Sequence, residues 1–143
     1  MSPAQTKKTG CLLAKEILRA GAGGAARVLA LSGQLGAGKT NFVQGFARGL
    51  GIKDVIASPT FAIMKKYRLL PASGFENFYH IDCYRLGSGR ELAVLGAEKI
   101  FGDPANIVAV EWPQVAAEIL PRAAIAVDFE IAGQRCRDIE FKF

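Results

Sequence analysis

Histidine and cysteine are scarce in this sequence of 143 residues, which holds one His and three Cys. The lone His80 excludes a histidine-rich metal site and disfavours a Ser-His-Asp hydrolase. Cys11, Cys83 and Cys136 are too few and too scattered for a disulfide framework, and none belongs to a C-x-x-C pair. Long apolar runs are missing as well: no stretch approaches the roughly 18 uninterrupted apolar residues of a membrane span. The first segment, MSPAQTKKTGCLLAKEILRA, has no unbroken apolar core of signal-peptide length and no small-residue cleavage site, and its pattern is that of an amphipathic helix. Reduced thiols and the missing span lead to the expectation of a cytoplasmic protein with no membrane association. Internal repeats, low-complexity tracts and linkers are absent too, so a single domain over 1–143 is expected, with little room for a separate substrate domain.

Acidic residues are the minority charge, 13 Asp and Glu against 18 Lys and Arg, for a net +5. The excess gathers in KKYR at 65–68 and in Arg135, Arg137 and Lys142. Two readings stay open for it: a solvated basic face, or contact with RNA or an acidic protein surface.

What the sequence does contain is SGQLGAGKT at 32–40, which matches G-x-x-x-x-G-K-[ST]. An apolar, β-leaning RVLALSG precedes it, and KTNFVQGFARGLG follows with Phe42, Val43, Phe46, Ala47 and Leu50 at helical spacing. Strand, glycine loop and helix in this order make a phosphate cradle. Glycines such as Gly33, Gly36 and Gly38, with Ala37 between them, let backbone N–H groups approach phosphate oxygens, and the helix N-terminus adds partial positive charge. Lys39 supplies a point charge to the β and γ phosphates, Thr40 supplies a hydroxyl to Mg²⁺, and Asn41 follows in the first turn.

The rest of the chain alternates strands and helices. KDVIASPTFAIMKKYRL (53–69) reads as two strand-like pieces interrupted by Pro59, LPASG as a turn, and FENFYHIDCYRL (75–86) as a strand and its exit. SGRELAVLGAEKIFG (88–102) has helical spacing behind a Ser88 N-cap, and NIVAVEW (106–112) has the run of a strand buried on both faces. PQVAAEIL (113–120) is expected as a short helix with Pro at its start, and 124–143 as a closing hairpin turning near Gly133. The architecture expected is an α/β, P-loop NTPase-like three-layer sandwich with a mixed central sheet.

A P-loop needs acids for its metal and for water placement. Asp82 and Glu111 each follow an apolar strand, and in a doubly wound sheet acids at the carboxyl ends of strands line the ligand crevice. His80 shares the strand face of Asp82, so it either orients that acid or sits as a satisfied, half-buried residue. Trp112 is either a core anchor or a lid over the site. Thr60, in SPTF, is either a contact to γ-phosphate or Mg²⁺ or a plain turn residue.

Together GQLGAGKTNFVQGFARGLG, SPTF, HIDCYRL, ELAVLGAEKIF and VAVEWP resemble, in that order and over nearly the whole chain, the TsaE (YjeE) family. That resemblance implies an ATPase, using ATP and Mg²⁺, that acts with the TsaB and TsaD proteins in threonylcarbamoyl modification of the tRNA adenosine beside the anticodon, touching tRNA only through the complex. Activity slow in isolation and dependent on partners is expected, because the chain has a phosphate loop and metal acids but no domain for a second substrate. The resemblance also implies that Thr40 and Glu111 associate with Mg²⁺, and that Thr6 and Gly10 near the start and Gly133 with Arg135 near the end border the adenine. Gln34, Asn41 and Cys83 depart from the family's commonest pattern without removing a phosphate or metal ligand. Two rival classes share the nucleotide loop: a small-molecule P-loop kinase, which needs an acceptor pocket and an Arg-bearing lid, and a non-catalytic nucleotide sensor.

Overall fold

A computed structural model describes the chain apart from residues 35, 55, 57–62 and 134–136. The first helix, α1 (Pro3–Ala20), starts on a capping box: the Ser2 hydroxyl accepts from the Gln5 N–H, the Gln5 side chain accepts from the Ser2 N–H, and Pro3 stands at the first position. The chain continues through β1 (Arg27–Ser32), α2 (Lys39–Gly49), β2 (Met64–Arg68), β3 (Asn77–Asp82), α3 (Gly89–Val94), α4 (Ala97–Gly102), β4 (Asn106–Glu111), β5 (Ile125–Ile131) and β6 (Arg137–Lys142). No helix among the described residues is long and apolar enough to cross a membrane.

The strands form one sheet in the order β2-β3-β4-β1-β5-β6. The inner strands β3, β4, β1 and β5 run parallel, while β2 and β6 pair antiparallel at the two edges. The sheet is therefore mixed, as the sequence pattern predicts, and helices cover both faces. Strand alternation divides the core in two. Leu29, Leu31, Phe78, Ile107, Ala109 and Val127 face α1 and α2, whereas Val28, Ile81, Val108 and Val110 face α3 and α4. On the first face Phe42 meets Phe129 edge-on at 5.4 Å and Phe46 meets Phe78 at 5.6 Å. The two helices above it approach through glycine: a Cβ on Gly45 would overlap the Lys7 carbonyl, and one on Gly10 would overlap that of Phe42.

Four expectations are corrected. The single helix over 88–102 is two, because Gly96 adopts a left-handed φ of 86° and starts α4 as its N-cap. Ser88 holds the N-cap position of α3 but makes no capping side-chain bond. The helix at 113–120 shrinks to a 3₁₀ turn over Pro113–Ala116. Of the two strand-like pieces at 53–69, the second is β2, while Lys53, Asp54 and Ile56 of the first lie in no strand; Pro59 itself is outside the described residues.

Candidate nucleotide site

The loop from Gly33 to Thr40 carries the chain from the end of β1 into α2. Gly38 is the N-cap of α2 at φ 98°, a left-handed conformation that disfavours side chains with a Cβ, and no side chain caps the helix. The first-turn N–H groups are thus left to an external acceptor, the electrostatic setting for an anion. Lys39, only 5% exposed, donates from Nζ to Gly33 O at 2.6 Å and lies 4.1 Å from the centre of the Trp112 ring. Burial pulls its pKa below the usual lysine value, and the nearby charges of Glu111 and Asp82 oppose that shift.

Those two acids end neighbouring strands. Asp82 closes β3 and Glu111 closes β4, directly opposite each other in register, and Glu111 is in turn opposite Leu31 of β1. Alternation places both on the α2 side of the sheet, with Phe78, Ala109 and Leu31 beneath them. Asp82 Oδ1 accepts from the Tyr84 N–H at 2.9 Å, an Asx turn that fixes the carboxylate as the chain leaves the strand. His80 is fully buried rather than half-buried, and its Nε2 lies 2.6 Å from Glu111 Oε2. It engages the acid of the next strand, because the closest partner of a buried side chain is set by strand neighbours as much as by its own strand.

Trp112 has φ 56°, the one positive value outside glycine among the described residues. Such a conformation costs about 1–3 kcal/mol and persists only where its surroundings enforce it. The turn swings the indole out of the strand, against Tyr84 at 5.0 Å and over Lys39. The ring packs at the border of the smaller core and lies over the P-loop lysine.

Two carboxylates and the hydroxyl of the exposed Thr40, in the first turn of α2, are all oxygen donors. That set suits Mg²⁺, which takes one or two carboxylates and completes its shell with phosphate and water.

The family model for the threonylcarbamoyl adenosine biosynthesis protein TsaE matches residues 1–139. The chain belongs to the TsaE family. It is 40% identical over 108 residues to the tRNA threonylcarbamoyladenosine biosynthesis protein TsaE of Borreliella burgdorferi, covering 75% of each chain. Its match to the Bacillus subtilis protein of the same name is 40% over 114 residues, or 80% of this chain and 68% of that one. The crystal structure of Bacillus subtilis YdiB superposes with a TM-score of 0.76 at 33% identity, covering 99% of this chain and 80% of the other.

In this TsaE-family chain the remaining candidates fall into three groups. Gly33, Gly36, Ala37 and the half-buried Asn41 lie on or beside the loop. Thr6, 1% exposed, donates to Ser2 O at 3.1 Å, and its methyl would lie 3.6 Å from a Cβ on Gly38, so the start of α1 forms a wall of the loop. Gly133 is exposed at the end of the hairpin. Thr60 and Arg135 lie outside the described residues.

Arg137, counted from the sequence only as surface charge, ties these parts together. Its Nε donates to Gly36 O at 2.9 Å and its Nη1 to Gly133 O at 3.2 Å. Arg135 and Arg137 follow the same glycine at positions of equal parity, so nothing local separates them.

Proposed function

We propose that this protein is a Mg²⁺-dependent ATPase serving the threonylcarbamoyladenosine biosynthesis to which its family belongs. The observation that carries the reading is the convergence of Lys39, Asp82 and Glu111 at one end of the sheet, close enough for both acids to act on the lysine's charge. Lys39 neutralises charge on the β and γ phosphates, and the backbone from Gly33 to Thr40 cradles them. Thr40, Glu111 and Asp82 would hold Mg²⁺, which would supply positive charge to the phosphates. The acids also orient the attacking water. Asn41 completes the first turn beside the phosphates, Thr6, Gly133, Arg135 and Trp112 are assigned to nucleotide binding, and Thr60 is assigned as a contact for γ-phosphate or Mg²⁺.

The whole of 1–143 acts as one catalytic domain in the cytoplasm. It turns over slowly alone, because hydrolysis has no second substrate here to couple to. TsaB and TsaD are the partners, and tRNA is reached through them. A partner that prefers the ATP-bound form tightens ATP binding by the same factor that ATP tightens the complex. ATP affinity and turnover measured with and without TsaB, TsaD and tRNA test this. Both quantities are expected to change; indifference of both to every partner favours a free-standing kinase or a nucleotide sensor.

A further inference from the structure

We infer that His80 is a positioning residue for Glu111: its Nε2–H holds one carboxylate oxygen and leaves the other to the nucleotide site. The inference rests on the ATPase reading above. Nothing of the His80 ring reaches solvent, and Phe78 stacks near it at 6.5 Å with an interplanar angle of 16°. Its Nε2 is 2.6 Å from Glu111 Oε2, a short hydrogen bond. Among the described residues, the other nitrogen, Nδ1, is the buried side-chain atom with no hydrogen-bond partner.

That orphan selects the protonation pattern. A proton placed on Nδ1 alone would leave an N–H donor unmet in the core, whereas a proton on Nε2 meets Glu111 Oε2. The tautomer that fits is therefore the one that carries its proton on Nε2 and donates to Glu111. In this pattern the histidine can only donate toward the acid and competes for none of its lone pairs.

The consequence is directional. Glu111 Oε2 is taken by His80, and Oε1 has no hydrogen bond among the described residues. A glutamate has three side-chain torsions to fix, whereas His80 is locked in the core by packing around β3. Fixing one oxygen through a rigid neighbour presents the second in a set direction, and that spares the acid reorganisation when charge develops on the phosphoryl group. Asp82 is treated alike: one of its oxygens is held by the Tyr84 N–H, so each acid has an oxygen anchored by the protein.

Because the chain has a single histidine, its ring nitrogens give the only imidazole signals in a ¹⁵N spectrum. In the protein free of nucleotide and metal, the expected result is a proton on Nε2. A bare Nε2, with the proton on Nδ1, overturns the inference. Two variants test the role in turnover. His80→Phe keeps the ring volume without the donor, and His80→Gln restores an N–H near Nε2. With His80→Phe the kcat for ATP is expected to fall about 10- to 100-fold while nucleotide affinity measured without metal stays put. His80→Gln is expected to recover most of that loss even where its melting temperature is no higher than that of the Phe variant. Equal kcat for the two variants, or losses that track stability alone, overturn the positioning role. If the parent protein releases no phosphate at all, it is the ATPase reading that fails, and the spectrum still decides the state of His80.

Discussion

On one face of the sheet, helices of 18 and 11 residues meet through Gly10, Gly45 and Gly49 above a core of Phe42, Phe46, Phe78 and Phe129; on the other, α3 and α4 have six residues each and break at Gly96. Nearly all the charged chemistry belongs to the first face. Lys39 comes from the start of α2, His80 and Asp82 from β3, and Glu111 from β4, all on the side that α2 covers. Trp112 reaches the site from the border of the second core. The difference teaches where rigidity is needed: a phosphate loop is held by whatever holds the helix behind it, and here that is backbone packed on backbone.

If the first face carries catalysis, the largest effect comes from Lys39→Ala, whose ATP hydrolysis is expected to drop by about 10³-fold or more as charge opposite the transferring phosphate is lost. Near-parental turnover by this variant, followed as phosphate release, removes the P-loop from the account. Next come two substitutions that set one face against the other. Leu92→Ala, in the second core at 0% exposure, should cost about 2–5 kcal/mol in urea unfolding while turnover per folded molecule is unchanged. Gly45→Ala should cost about 1–3 kcal/mol and also raise the KM for ATP, because the added methyl pushes α2 and its loop away from α1. Equal effects of the two on turnover would erase the distinction between the faces.

Smaller changes sharpen the site itself. Asp82→Asn and Glu111→Gln are each expected to slow hydrolysis about 10- to 100-fold with less effect on nucleotide affinity, since acids at a metal site act mainly on transition-state charge and water. Whichever variant keeps the parental rate leaves the site. Arg137→Ala should weaken nucleotide binding by only about 3- to 10-fold, the loss of hydrogen bonds that steady Gly36 and Gly133, and titration with a fluorescent nucleotide measures it.

What was legible in the sequence is what is local. The phosphate loop lies on contiguous residues, so its strand, turn and helix could be read as one pattern, and the closing hairpin likewise reads from alternation around Gly133. The acids were legible as strand ends. The His80–Glu111 pair was not, because it depends on β3 lying beside β4, and strand order leaves no trace in either segment. The helix break at Gly96 was hidden by apolar spacing that continues through Leu92, Leu95 and Ile100 on both sides of it. Arg137 escaped notice for a related reason: its contact with Gly36 spans 101 positions.

Release of inorganic phosphate from ATP by the purified protein with Mg²⁺, alone and with TsaB and TsaD, tests the central claim most directly. The account predicts phosphate and ADP in equal amounts, slow release alone, a changed rate with the partners, and no release after chelation of the metal or in Lys39→Ala. Transfer of the phosphate to an acceptor other than water, or tight ATP binding with no phosphate released under any of these conditions, would contradict it.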